Sequence, residues 1–201
     1  MIKRNLLVMG MALVLSACGF HLRGTGTQEL TIKELDLSAR DAYGPTVKLL
    51  QQQLENSGVQ VHAGAPYKLV LVNEQNSQRT LSYSGGGNSA EYEISTKLSY
   101  EILTHDNLSM LSDKLEVQKV FVHDGNNITG SGQESSQTYQ EMRRDLVQRM
   151  LIRLQLLTPD QLAKLQATAE AKAKAEAQAL EAARKAEAET PRQSPMELPN
   201  Q

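Results

Sequence analysis

The chain contains no tryptophan, only two phenylalanines and a single cysteine among 201 residues. One thiol excludes an internal disulfide, so the core must be held by burial alone. Aromatics make up only 4%, and 21 Lys and Arg stand against 23 Asp and Glu, a formal charge of −2. Neither the basic excess nor the stacking rings of a nucleic-acid surface are present, so no nucleic-acid partner is expected. The histidines His21, His62, His105 and His123 do not share the close spacing of a helical metal motif. No metal or other cofactor is expected. No Gly-x-Ser-x-Gly elbow occurs, and Gly85-Gly86-Gly87 lacks the Lys-Ser/Thr of a phosphate loop and precedes a strand pattern. These glycines suit a mobile hairpin tip. An enzyme is not expected.

Long apolar runs are also missing. The run at residues 6–15, broken by Gly10, is too short for a membrane span, which needs roughly 20 residues. Preceded by Lys3 and Arg4, it has the form of a secretion signal. Leu15-Ser16-Ala17-Cys18 follows and resembles the lipobox of bacterial lipoproteins. Small residues fit a peptidase groove, and only a thiol accepts a diacylglyceryl group as a thioether. Residues 1–17 are therefore expected to be removed, and Cys18 to carry diacylglyceryl and N-acyl groups. Several chains on one residue meet the need for at least two lipid signals, each buried methylene contributing about 0.8 kcal/mol.

Beyond a lipidated spacer at 18–29, residues 30–157 have the pattern of one α+β domain. Residues 30–37 have strand character with a phase change between Ile32 and Leu35, which predicts a bulge. Pro45 opens a helix to Asn56 with Val47, Leu50 and Leu54 on one face, and Gly58 stops it. The apolar run 67–72 predicts a short strand buried on both faces. At 92–102 the even positions are apolar apart from Thr96, while Glu91, Glu93, Lys97 and Glu101 mark a polar odd face. His105-Asp106-Asn107 turns the chain into a second arm at 111–122. Residues 135–157 are helical, with Tyr139, Met142, Leu146, Met150, Leu154 and Leu157 in phase and Asp145 and Arg149 as an outer pair. The order predicts a mostly antiparallel sheet with two helices packed on one face.

Residues 158–201 differ in composition. Thr158-Pro159-Asp160-Gln161 is a capped helix start, followed by Ala, Lys, Glu and Gln with four-apart pairs Glu170–Lys174 and Glu181–Lys185. Between Leu165 and Glu189 only Leu180 is large and apolar, so this stretch is expected to be a solvated helix without a docking face. Pro191, Pro195 and Pro199 predict disorder over 190–201.

Directly after the lipid cysteine, Cys18-Gly19-Phe20-His21-Leu22-Arg23-Gly24 closely resembles the mature start of the LPS-assembly lipoproteins, the LptE family. Gly44-Pro45, Ala90-Glu91-Tyr92, Glu141-Met142 and the Leu/Arg-rich close near Leu154 extend the resemblance in order. The resemblance implies a non-enzymatic partner seated as a plug inside the outer-membrane β-barrel LptD, aiding its folding, with lipopolysaccharide as a further ligand. It also implies basic residues in two loops. Here neither 84–89 nor 123–134 contains Lys or Arg, and Arg79 is the nearest cation to the first loop. Gly19 stands where Asp would retain a lipoprotein in the inner membrane, so the resemblance implies the outer membrane, on the periplasmic side. Candidate contacts for the barrel or lipopolysaccharide are Arg79, Glu93, Lys97 and Glu101. The competing reading is a lipoprotein that carries a lipid in its own cavity, independently of a barrel.

Overall fold

The computed structural model describes residues 30–83, 89–124 and 126–189. Among them run β1 (Glu34–Ala39), α1 (Pro45–Asn56), β2 (Gln60–Val61), β3 (Tyr67–Tyr83), β4 (Ser89–Thr104), β5 (Ser109–Asp124), α2 (Ile128–Gln155) and α3 (Pro159–Glu189). The strands form one five-stranded sheet in the order β2-β1-β3-β4-β5. The long strands β3, β4 and β5 are antiparallel, and β1 lies parallel to β2 and β3. This is an α+β sandwich, with α1 and α2 on one face.

Its core is where the even face of β4 meets the helices. Ile94, Leu98, Tyr100 and Ile102 are buried together with Leu50 and Leu54 of α1 and Met142, Leu146, Met150 and Leu154 of α2. The helix α1 begins at Pro45, whose missing N–H costs nothing in the first turn. It ends before Gly58, whose φ of +80° is a left-handed conformation that glycine adopts without a Cβ penalty.

Several elements differ from the pattern reading. No bulge follows Ile32: β1 begins at Glu34, so the phase change falls in the bend before the strand, where Leu30 and Ile32 are both buried. β3 continues to Tyr83 through a polar stretch, and only Leu69 and Leu71 of it are buried. It is therefore not a short strand covered on both faces; pairing with β4 along its length sustains it. The helix α2 starts at Ile128 rather than at 135, so Gly130-Ser131-Gly132 is helical. Asn127 explains this: its side-chain oxygen accepts the Gly130 N–H at 3.0 Å, and a Cβ on Gly130 would collide with that same side chain. Asp145 and Arg149 both turn to β5, reaching Lys119 Nζ at 3.6 Å and the Glu116 carbonyl at 3.2 Å.

The last helix departs most. Its start is the expected capping box: the Thr158 N–H donates to Gln161 Oε1 at 3.0 Å and the Gln161 N–H to Thr158 Oγ1 at 3.3 Å. But α3 does dock. Leu162 is 3% exposed and Ala169 7%, with Leu165 half-buried between them. Spacings of three, four and seven set these residues on one helical face. Further on the helix is solvated. Lys185 meets Glu181 at 2.9 Å, whereas Glu170 accepts from Gln166 at 3.0 Å. The secretion signal, Cys18, the spacer, the Gly85–Gly87 tip and residues 190–201 lie outside the described residues.

Candidate functional site

Side chains alternate across a strand, so burying the even positions of β4 places its odd positions on the opposite face. The register aligns Arg79 of β3 with Glu93 of β4 and Val120 of β5, then Gln75 with Lys97 and Glu116. These rows form an open polar face backed by the core.

Arg79 and Glu93 make a two-pronged pair, Nε to Oε1 at 2.8 Å and Nη2 to Oε2 at 3.1 Å. Matched planar groups favour this geometry. Hydrogen bonding to Arg79 holds the Glu93 carboxyl below its usual range and, reciprocally, raises the guanidinium. Lys97 Nζ lies 3.5 Å from Glu116 Oε1, which also accepts from Gln118 Nε2 at 2.7 Å. The Gln118 hydrogen bond is the main reason the Glu116 carboxyl lies low, with Lys97 adding to it. Glu101 sits in register with Val70 and Ser112, apart from both pairs. Of the four candidates, the fold thus joins Arg79 to Glu93 and gives Lys97 a partner on β5.

Glu116 and Gln118 were missed as site residues, although polar residues at every second position from Ser112 to Gln118 carried the signal. Towards the β3–β4 tip the ladder stays polar. Ser77 Oγ and Ser95 Oγ are 2.7 Å apart, and Ser82 Oγ donates to Glu91 at 2.8 Å. On the other face Thr96 Oγ1 donates to Asn76 Oδ1 at 2.7 Å. Beyond the pairs stand exposed Val120 and Val122 of β5 and Leu81 and Tyr83 of β3. The arrangement offers hydrogen bonds and apolar contacts to a large surface.

Two hollows lie on the helix side. A polar cleft of about 570 Å³ separates the first turn of α1 from α2, lined by Arg40, Asp41, Glu74 and Arg143 among others. There Arg143 Nε is buried without a partner among the described residues. The second hollow is apolar, about 360 Å³, and lies between the end of α2 and the start of α3. No group of three or more His, Cys, Asp or Glu able to hold a metal occurs among the described residues. His62 is 3.4 Å from Glu34, and His105 is 3.4 Å from Asp106. His123 meets the Tyr92 ring edge-on at 6.0 Å. No described helix is long and apolar enough to cross a membrane.

Residues 32–154 match the lipopolysaccharide-assembly family LptE. The chain belongs to this family. The LPS-assembly lipoprotein LptE of Photorhabdus laumondii is 29% identical over 166 residues, which is 80% of this chain and 89% of the relative. That of Pectobacterium atrosepticum is 29% identical over 170 residues, covering 81% and 91%. The crystal structure of rare lipoprotein B from Shewanella oneidensis shares the fold at a TM-score of 0.52 and 21% identity, covering 70% of this chain and 98% of that one. The solution structure of an uncharacterized lipoprotein B from Nitrosomonas europaea gives 0.56 and 21%, covering 66% and 88%. The match to LptE ends at residue 154, so the whole of α3 lies beyond it.

Proposed function

We propose that this chain is a non-enzymatic outer-membrane lipoprotein, anchored through Cys18 on the periplasmic side. It assembles with and plugs the lipopolysaccharide-inserting barrel LptD, supporting lipopolysaccharide transport to the cell surface. The observation that carries this reading is the polar ladder from Arg79 through Glu93 to Lys97 and Glu116, which stands open opposite the helices. A barrel lumen is itself polar. A plug whose exposed face is a rigid array of paired charges and hydroxyls can match such a wall over a large enclosed area, each contact modest and the total large. Membership of the LptE family supports the same reading. Lipopolysaccharide as a direct ligand, with Arg79 nearest the hairpin tip, is the secondary part of the proposal.

The test reverses Glu93, Lys97 and Glu101 together and measures recovery of a barrel of outer-membrane size from detergent-solubilised membranes. Single reversals are expected to cost little and the triple variant to lose the complex, with circular dichroism showing a folded domain. Because Glu93 is engaged internally, a swap of Arg79→Glu with Glu93→Arg is the control. It keeps the pair while exchanging the charges offered outward, so a loss there reports the partner and not the fold. Undiminished recovery in the triple variant would move the interface to the helices or to the end of the sheet nearest residues 123–134.

A further inference from the structure

The apolar hollow beside α3 has the features of a ligand site. Its floor is Tyr100, Ile102 and Leu154, all buried, and its walls are the half-buried Leu111, Leu157 and Leu165. Leu156, 62% exposed, stands at the rim, where a large apolar side chain gains nothing from water. Three charged residues line the mouth: Asp113, Arg153 and Lys164. Asp113 is engaged, with Arg153 Nη2 at 3.9 Å and the Tyr100 hydroxyl donating to it at 3.5 Å. The Lys164 ammonium meets no acid among the described residues. The mouth therefore carries one uncompensated positive charge over an apolar floor.

The position of this hollow matters as much as its lining. Leu35 aligns with Tyr67 and Tyr67 with Thr104, so the chain enters the domain, through Leu30, at the end of the sheet where the β4–β5 turn lies. Ile102 and Leu111, in register beside that turn, line the hollow. The hollow is thus at the entry end. Only twelve residue steps separate Cys18 from Leu30, a reach of at most about 40 Å. On the lipoprotein reading, this end is the one tethered nearest the bilayer.

We propose that this cavity binds a single-chain anionic lipid, a fatty acid, with its chain against Tyr100, Ile102 and Leu154 and its carboxylate at Lys164. Ligand cavities run from about 300 to 1,000 Å³, and one of about 360 Å³ takes one chain rather than several. Every methylene placed there leaves water, and the head group stays at the wet rim beside the ammonium. The site depends on α3, so it belongs to this chain's extension beyond the family match.

The experiment uses residues 18–201 with Cys18→Ala behind a soluble-secretion signal that replaces residues 1–17, so the chain is cleaved without acyl groups and the result is independent of acylation at Cys18. Titration with lauric acid is expected to give saturable one-to-one binding, and dodecanol, the same chain without the charge, to bind more weakly. Lys164→Glu is expected to weaken laurate roughly fivefold, the scale of losing one exposed ion pair and adding a repulsion, and to leave dodecanol unchanged. Leu165→Trp fills the hollow and is expected to abolish both. If that variant fails to fold, Leu111→Phe narrows the same cavity from the strand side. Absence of saturable laurate binding overturns the proposal. So does laurate binding that neither Lys164→Glu nor a folded cavity-filling variant alters, and so does adsorption to phosphatidylglycerol vesicles by a protein that takes up no laurate.

Discussion

Removing α3 is the perturbation that most sharply separates pattern from packing. Composition alone makes everything after Thr158 a solvated tail whose loss leaves stability unchanged. Yet Leu162 is 3% exposed and Ala169 7%, and Leu165 is half-buried. Burying one leucine contributes about 1.5–3 kcal/mol, and Leu165 roughly half of that. The Ala169 methyl adds less than about 1 kcal/mol. The ordering entropy of the docked turns is offset for the most part by the backbone hydrogen bonds of the helix they belong to, so the net contribution is about 2–4 kcal/mol. At about 2–4 °C per kcal/mol for a domain of this size, truncation after Thr158 is expected to lower the thermal midpoint by roughly 5–15 °C. Truncation after Glu176 removes only solvated helix and is expected to leave it within about 1 °C. Leu162→Ala in the full chain isolates the anchor, with a cost of about 2 kcal/mol or more where the cavity cannot collapse, capped at the roughly 4 kcal/mol at which α3 undocks altogether. Thermal melts of the four proteins, followed by circular dichroism, provide the assay. A midpoint unmoved by truncation after Thr158 would refute the docking of α3, and with it the cavity that α3 helps to close.

Cys18→Ala is expected to abolish lipid labelling and leave an unprocessed precursor, read by metabolic palmitate labelling and gel mobility; normal labelling would place the acyl group elsewhere. Acid should weaken the ladder pairs: Glu93, Glu116 and Glu141 are held low by hydrogen bonds from Arg79, from Gln118 and Lys97, and from Lys119. A lowered carboxyl contributes stability that is complete above its unfolded value, about 4.3, and is lost as pH falls through the folded one. Lys119, raised chiefly by its hydrogen bond to Glu141, has the opposite sign: its contribution holds below the ordinary lysine value of about 10.4 and is lost as pH rises through the folded one. Midpoints measured against pH should therefore be level between about pH 5 and 8 and decline shallowly below about pH 4, because these groups are largely in water. A midpoint that rises on acidification from pH 5 to 3 would contradict this.

By itself the sequence determined the local matters. Pro45 and Gly58 bounded α1, and the strict alternation around Ile94, Leu98 and Ile102 separated a buried face from a polar one. Thr158 and Gln161 wrote the start of α3 through contacts three residues apart. The α+β class follows from these periods, since each apolar stripe needs a partner layer. Tertiary structure decided whatever depends on residues distant in sequence. The polar half of β3 has no apolar alternation to mark it as a strand, and it exists because β4 supplies hydrogen bonds and side-chain partners along its length. Arg79 and Glu93, fourteen residues apart, become one pair only when the register is set. Asp145 and Arg149 have the right spacing for each other, yet β5 offers them Lys119 and a strand carbonyl. Ala169 reads as one alanine among many, and only the surface beneath it makes it part of the core. Period and capping are properties of a few consecutive residues, whereas register, burial and cavities belong to the surfaces that meet.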